Sequence, residues 1–320
     1  MRTLQIMTHG HCFDGLVSAA LFASWCRAQT SGRLTVRYRT CGYGPKLKAL
    51  PDAWFSADWN ALLDFRYDDH PKLTHYLDHH ATAFRDEEQK RRALDPSRRG
   101  KRVVHFDPEA KSCAGLIARV ARDAGFEVGV PELVLAAEQV DSASFTSAEE
   151  PFFARSPALQ LADVAERHAD AAFVGELAPL LVERPLTEIV ARPSIQERAA
   201  AIQERKLRFL EAVRAAGTQT GDVAFVDLSE AGVEVAGKFA TYLAFPTCRY
   251  SVTLLKTPEQ LKLGVGWNPF GGKARLHDLG ERCRALGGGG HKAVGAVAFA
   301  RGDLEKARAT LAVLATELAG

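Results

Sequence analysis

Over the first half of the chain, apolar residues come in short runs closed by polar clusters. Leu4-Gln5-Ile6-Met7 reads as a strand that stops at the polar stretch Thr8 to Gly15, and Leu16 to Arg27 has the length and spacing of a helix. Thr35 to Arg39, Ala61 to Phe65, Leu73 to Leu77 and Val103 to Asp107 read as further short strands. Lys111-Ser112-Cys113-Ala114-Gly115 opens a second helix, and Leu133 to Val140 forms a third that ends at Asp141. Strands alternating with helices predict an α/β fold on a parallel sheet. From Pro157 to about Gly217 the period is helical, punctuated by Pro185 and Pro193, with few residue types suited to catalysis. The texture then turns β-rich: Val223 to Leu228, Tyr250 to Leu255, Leu261 to Trp267 and Ala293 to Phe299 are strands. Lys238 to Leu243, Asp278 to Leu286 and Leu304 to Leu318 are helices. The pattern predicts a parallel-sheet domain over 1–155, a helical connector over 156–217 and a smaller mixed α/β C-terminal domain over 218–320.

Composition narrows the class. The 320 residues are 47% hydrophobic and 25% charged with a net charge of +2, so no long-range attraction to nucleic acid or membrane follows from charge alone. Cys12, Cys26, Cys41, Cys113, Cys248 and Cys283 form no Cys-x-x-Cys pair, which argues against a zinc ribbon or a disulfide framework and fits a reducing cytoplasm. Met1-Arg2-Thr3 runs straight into a strand, and no uninterrupted apolar stretch is long enough for a bilayer, so a soluble, unprocessed chain is expected.

Candidate chemistry gathers where strands end. Asp78-His79-His80 closes an apolar run; two adjacent imidazoles at the carboxyl end of a strand can turn into one crevice, and a neighbouring carboxylate can fix an imidazole's tautomer. His9, His11, Cys12 and Asp14 are possible metal donors within one loop, although Asp14 could instead cap the following helix and Cys12 be a small buried residue. Asp64 ends a buried run, where an unpaired charge is costly, and Asp141 is a further acid at an element end. His70 and His75 read as surface histidines. The basic segment Lys90, Arg91, Arg92, Arg98, Arg99, Lys101 and Arg102 reads as a solvated face, with room for a phosphate-attracting rim. Gly287-Gly288-Gly289-Gly290-His291 is either a flexible link or a nest of backbone N–H groups that an anionic substrate can approach. Trp267 and Phe270 could stack on a base, but aromatics after a strand are more often core.

Taken in order, these residues resemble the DHH phosphoesterase family, which includes RecJ-like exonucleases and nano-RNase-like enzymes. Asp78-His79-His80 matches the motif that names the family, Asp64 its preceding lone Asp, Asp141 its later Asp, and His9 with Asp14 its N-terminal loop. Gly287 to His291 resembles the signature of the associated C-terminal domain of the nuclease and phosphodiesterase branches. The resemblance implies two metal ions, most naturally Mn2+, with Mg2+, Zn2+ or Fe as alternatives. His9, Cys12 and Asp64 would hold one, and Asp14, Asp64, His79 and Asp141 the other. Asp78 would orient its neighbours and His80 would meet the phosphate, while Gly288, Gly289, Gly290, His291, Arg275 and His277 would bind substrate. The implied activity is a metal-dependent phosphoesterase that hydrolyses phosphodiester or phosphomonoester bonds of a short nucleotide or oligonucleotide with a two-metal activated water, the 1–155 domain being catalytic and the active site lying in the cleft between it and the C-terminal domain. Cys12 departs from the family's usual Asp and would tilt its site towards softer metals. Two rivals remain: a pyrophosphatase or polyphosphatase, disfavoured by the C-terminal motif, and a nucleotide-binding sensor without turnover, motivated by Cys12.

Overall fold

The computed structural model describes residues 1–42, 49–97 and 100–319. Its chain forms two compact units, Met1–Ser144 with Arg155–Ala199, and Phe145–Ala154 with Ala200–Gly320. In the first, β1 (Arg2–His9) leads into α1 (Phe13–Ala28), followed by β2 (Leu34–Cys41), β3 (Trp59–Leu63), β4 (His75–Asp78), α2 (Glu87–Leu94), β5 (Val103–Phe106), α3 (Cys113–Asp123) and α4 (Pro131–Asp141). After α5 (Glu149–Phe153), which belongs to the second unit, come α6 (Pro157–His168), α7 (Ala171–Glu183) and α8 (Leu186–Val190). The stretch expected as a connector is therefore shared: α6 to α8 belong to the first unit, and most of α9 (Pro193–Ala216) belongs to the second.

Five parallel strands in the order β2-β1-β3-β4-β5 make the first sheet. Its central strands are largely apolar because both faces are covered, one by helices including α1 and α3 and the other by α2 with loop residues such as Phe55 and Tyr67: Leu4, Ile6, Met7, Leu62, Leu63, Tyr76 and Leu77 are fully buried. Helix α1 is buried on nearly every side, among α3, α4, α6 and α7, which explains why Leu16 to Arg27 carries so few polar residues. It starts earlier than its apolar pattern predicts because Cys12 is its N-cap, accepting the Gly15 N–H at 3.5 Å. Asp14 thus lies in the first turn and is released from capping its own helix. The strand order reverses between β1 and β3, and in such sheets ligands bind outside the carboxyl ends of the strands at that point.

The second unit carries β6 (Gly217–Thr220), β7 (Val223–Leu228), α10 (Ala240–Ala244), β8 (Tyr250–Lys256), β9 (Leu261–Trp267), α11 (Leu279–Ala285), β10 (Gly289–His291), β11 (Val294–Phe299) and α12 (Leu304–Ala319). They form a six-stranded mixed sheet, β10-β11-β9-β8-β7-β6, in which only the β7–β8 pair is parallel. Val252, Leu254, Leu263, Val297 and Leu314 lie at its core, with Trp267 packed against them. Phe270 packs edge-on against Phe239. Both aromatics serve the core.

The glycine run has a packing reason. Gly287, at φ +81°, ends α11: its N–H reaches the Arg284 carbonyl at 3.0 Å and the Gly288 N–H reaches Cys283 at 2.8 Å, the paired bonds of a Schellman motif. A Cβ on Gly288 would fall 2.1 Å from the Ala296 carbonyl oxygen. Gly288→Ala should therefore lower stability by ~1–3 kcal/mol through overpacking. A thermal or denaturant midpoint equal to wild type would mean that β11 yields freely at this contact.

Candidate metal centre

Three neighbouring strands deliver acids and imidazoles to the carboxyl edge of the parallel sheet. His9 is the last residue of β1, Asp64 follows β3 directly, and Asp78 ends β4 with His79 and His80 behind it. Asp64 sits at φ +53°, a left-handed conformation that costs a non-glycine residue ~1–3 kcal/mol. The surrounding packing enforces it. A Cβ on Gly15 would come within 2.4 Å of the His9 carbonyl and 3.3 Å of Asp64 Oδ2, so only glycine lets α1 start this close to the acid.

Each carboxylate has a distinct set of partners. Asp14 is buried, and its two oxygens accept the Cys113 and Ala114 N–H groups at 2.7 and 2.9 Å, the first amides of α3. Burial and then Asp141 nonetheless push its carboxyl up to about 6. Asp78 is saturated by donors: its Oδ1 accepts from the backbone N–H of His79 and His80 at 2.8 and 3.3 Å and from His80 Nδ1 at 2.8 Å, and its Oδ2 accepts the Tyr76 hydroxyl at 2.8 Å. With three of these bonds on Oδ1, it fixes the His80 ring and leaves that ring's Nε2 available to a ligand.

Asp64 and His79 are different. Asp64 is fully buried, and its Oδ1 has no hydrogen-bond partner. Burial, followed by Asp14, Asp78 and Asp141, holds its carboxyl well above the usual range. His79 donates Nδ1–H to the Ala110 carbonyl at 3.0 Å, so its buried Nε2 points at the acids without a well-aligned hydrogen bond to any of them: 3.2 Å from Asp141, an ion-pair distance, 3.7 Å from Asp14 and 3.8 Å from Asp64. The last two gaps are too long for hydrogen bonds. Burial lowers the His79 imidazole, but Asp141, Asp14 and the Ala110 carbonyl outweigh it and raise the ring to about 9.

Donor atoms fall into overlapping groups in which each lies within 4.8 Å of the others: His9 with Cys12 and Asp64; Asp14 with His79 and Asp141; and Asp64 with Asp78, His79 and His80. Cys12 Sγ lies 3.5 Å from Asp64 Oδ2, and burial, then Asp64, holds its thiol far above the ordinary value. His11 joins none of these groups. With Nδ1–H committed to Ala110, the deprotonated His79 ring presents a lone pair at Nε2 beside the unpaired oxygen of Asp64 and the neighbouring acids, which is the donor set of a divalent cation, and the residues fit such an ion.

Several expected residues play other parts. His75 is not a surface histidine: it opens β4, packed edge-on against Phe22 and Trp59. His70 stacks on Phe55 at 3.7 Å. Arg102 clamps the Leu73, Asp69 and His70 carbonyls and the Tyr67 hydroxyl, Arg92 pairs with Asp69, and Arg91 pairs with Glu88, so these three are engaged locally instead of forming a free phosphate rim. Arg98 and Arg99 lie outside the described residues. In the second unit, Arg275 and His291 are exposed. His277 lies against Tyr250, accepts from Arg282 at Nδ1 (3.1 Å) and keeps a buried, unpartnered Nε2. Tyr76 was not singled out by its sequence, yet a Tyr two residues before an Asp on a strand shares its face and can reach it.

Solved structures with this architecture carry DHH domains. A pGpG-specific phosphodiesterase from Vibrio cholerae matches 99% of this chain and 100% of its own at TM-score 0.71 and 18% identity. A DHH-domain protein described as a member of the s1p family of ribosomal proteins matches 100% and 88% at TM-score 0.61 and 16% identity. The exonuclease RecJ bound to manganese matches 98% and 90% at 0.55 and 12%. Neither a protein-family profile nor a curated protein matches the sequence. The chain has the DHH-domain fold. Among the described residues, no helix is long and apolar enough to cross a membrane.

Because His79 is protonated up to about 9 and Asp14 up to about 6 in the metal-free protein, a cation must displace protons to bind. Low pH favours the protonated, empty cluster, so Mn2+ affinity should rise from pH 6 to pH 9, by up to ~tenfold per unit for each proton released. Chelator-competition titrations across that range measure it, and a flat profile would exclude His79 as a ligand.

Proposed function

We propose that this protein is a metal-dependent phosphoesterase acting on a short nucleotide or oligonucleotide. The observation that carries the reading is the pairing of orphaned Asp64 Oδ1 with orphaned His79 Nε2 at the carboxyl edge of a DHH-type sheet. His9, Cys12 and Asp64 would hold one divalent ion, and Asp14, Asp64, His79 and Asp141 a second, with Asp64 shared. Bound there, the ions would lower the pKa of a water and stabilise charge developing on the phosphoryl group. His80, its ring held by Asp78, would donate to a phosphate oxygen. Tyr76 and the first amides of α3 would hold Asp78 and Asp14 in place. In the second unit, Arg275, His277 and Gly288, Gly289, Gly290 and His291 are the proposed phosphate-binding groups. The likeness to a pGpG-specific phosphodiesterase over the full length of both chains favours a short nucleotide over pyrophosphate, and manganese in RecJ favours Mn2+.

Hydrolysis of pGpG and of short oligonucleotides should cease on chelation and return with Mn2+ better than with Mg2+, with pyrophosphate left untouched. Asp64→Ala should lose both ions and reduce turnover by at least ~10²–10³-fold, the scale on which removal of a preorganised electrostatic group acts. Wild-type metal content and rate in that variant would contradict the assignment. Cys12 allows a sharper test. Cys12→Asp keeps an N-cap for α1 and supplies a hard oxygen. It should fold normally and shift preference from Zn2+ or Fe towards Mn2+, whereas unchanged preference would confine Cys12 to capping.

A further inference from the structure

At the opposite, amino edge of the same sheet lies a cavity of about 450 Å³, within the size range of small-ligand sites. It is bounded by the starts of β4 and β5 and by the last turns of α1 and α3, the elements whose other ends carry Asp14, Asp78 and the amides that hold Asp14. It is therefore separate from the metal centre. Phe22 and Trp25, set edge to face at 5.9 Å, supply an aromatic wall, and Val120 adds aliphatic surface.

Two side chains of the wall, His75 and Asp123, offer acceptors, while Trp25 carries a buried Nε1–H without a partner. Thr74 Oγ1 donates to the Asn60 carbonyl at 2.9 Å and accepts the Asn60 N–H at 2.8 Å, so the hydrogen shared with His75 Nδ1 at 2.8 Å comes from the imidazole. His75 Nε2 is then a bare acceptor. Burial, with the nearby His105, pushes this ring down to about 4, so it stays neutral at physiological pH. Asp123 supplies a carboxylate, and the carbonyl ends of two helices add partial negative charge. Arg27 and Arg122, in the same last turns, are not part of the lining. Aromatic faces with acceptors and negative charge around them match an organic cation, which gains cation–π attraction as well.

We propose that this cavity is a binding site for a small organic cation with an aromatic or aliphatic body, received by Trp25, which the buried Phe22 backs, and hydrogen-bonded by His75 and Asp123.

Phenethylamine is a suitable probe, and 3-phenylpropionate is a control of similar body and opposite charge. In ligand-observed NMR titrations with the full chain, phenethylamine should saturate a single site and 3-phenylpropionate should bind measurably more weakly. Ala124→Trp, placed on the exposed rim where folding should be unaffected, should abolish phenethylamine binding while thermal unfolding stays at the wild-type midpoint. Asp123→Asn should weaken it by roughly twofold to fivefold, as expected for an exposed ion pair. The proposal is overturned by any of three results: no saturation with phenethylamine, equal or tighter binding of 3-phenylpropionate, or wild-type phenethylamine affinity in both variants.

Discussion

Three carboxylates, Asp14, Asp64 and Asp78, are buried within a few ångströms of one another, and burying like charges is tolerable only when each is paired. Much of the first unit is organised by how that demand is met. Asp78 is met by donors from its own strand and turn, Asp14 by the amides opening α3. Asp64 is left with one oxygen unpaired, facing a histidine nitrogen that is also unpaired. Asp78 is thereby fixed as scaffolding, whereas Asp14 still faces His79, and Asp64, held in a left-handed conformation, is the acid around which the proposed cation site is built.

That division explains the local architecture. Gly15 is required because α1 begins against the His9 carbonyl and beside Asp64. Cys12, as N-cap of α1, stands next to the same acid, so one thiol both caps a helix and faces the proposed cation site. The Ala110 carbonyl fixes the tautomer of His79 and directs its other nitrogen inward. Sheet, helix starts and turns thereby converge on Asp64.

Much of this was legible in the sequence because apolar runs and acids obey simple rules. The runs ending at Asp64 and Asp78 became β3 and β4, and the alternation of strand and helix gave the parallel sheet. What escaped depended on long-range contacts. Nothing local announces that Cys113 and Ala114, about a hundred positions away, hold Asp14, or that Phe22 and Trp59 enclose His75. Arg102 looked like solvated charge because its carbonyl partners lie about thirty residues upstream. The helices after Pro157 looked like a connector because periodicity shows an apolar face without showing its partner; α6 and α7 pack on α1. The glycine run has a second reason that no local pattern announces, since its small residues allow the close approach of β11.

The central claim is that Asp64 and His79 share a divalent cation. Anomalous diffraction from crystals grown with Mn2+, collected on both sides of the manganese edge, tests it most directly. Two peaks should appear, one among His9, Cys12 and Asp64 and the other among Asp14, His79 and Asp141, with Asp64 in contact with both. A map with manganese elsewhere and none at coordination distance from Asp64 would contradict it.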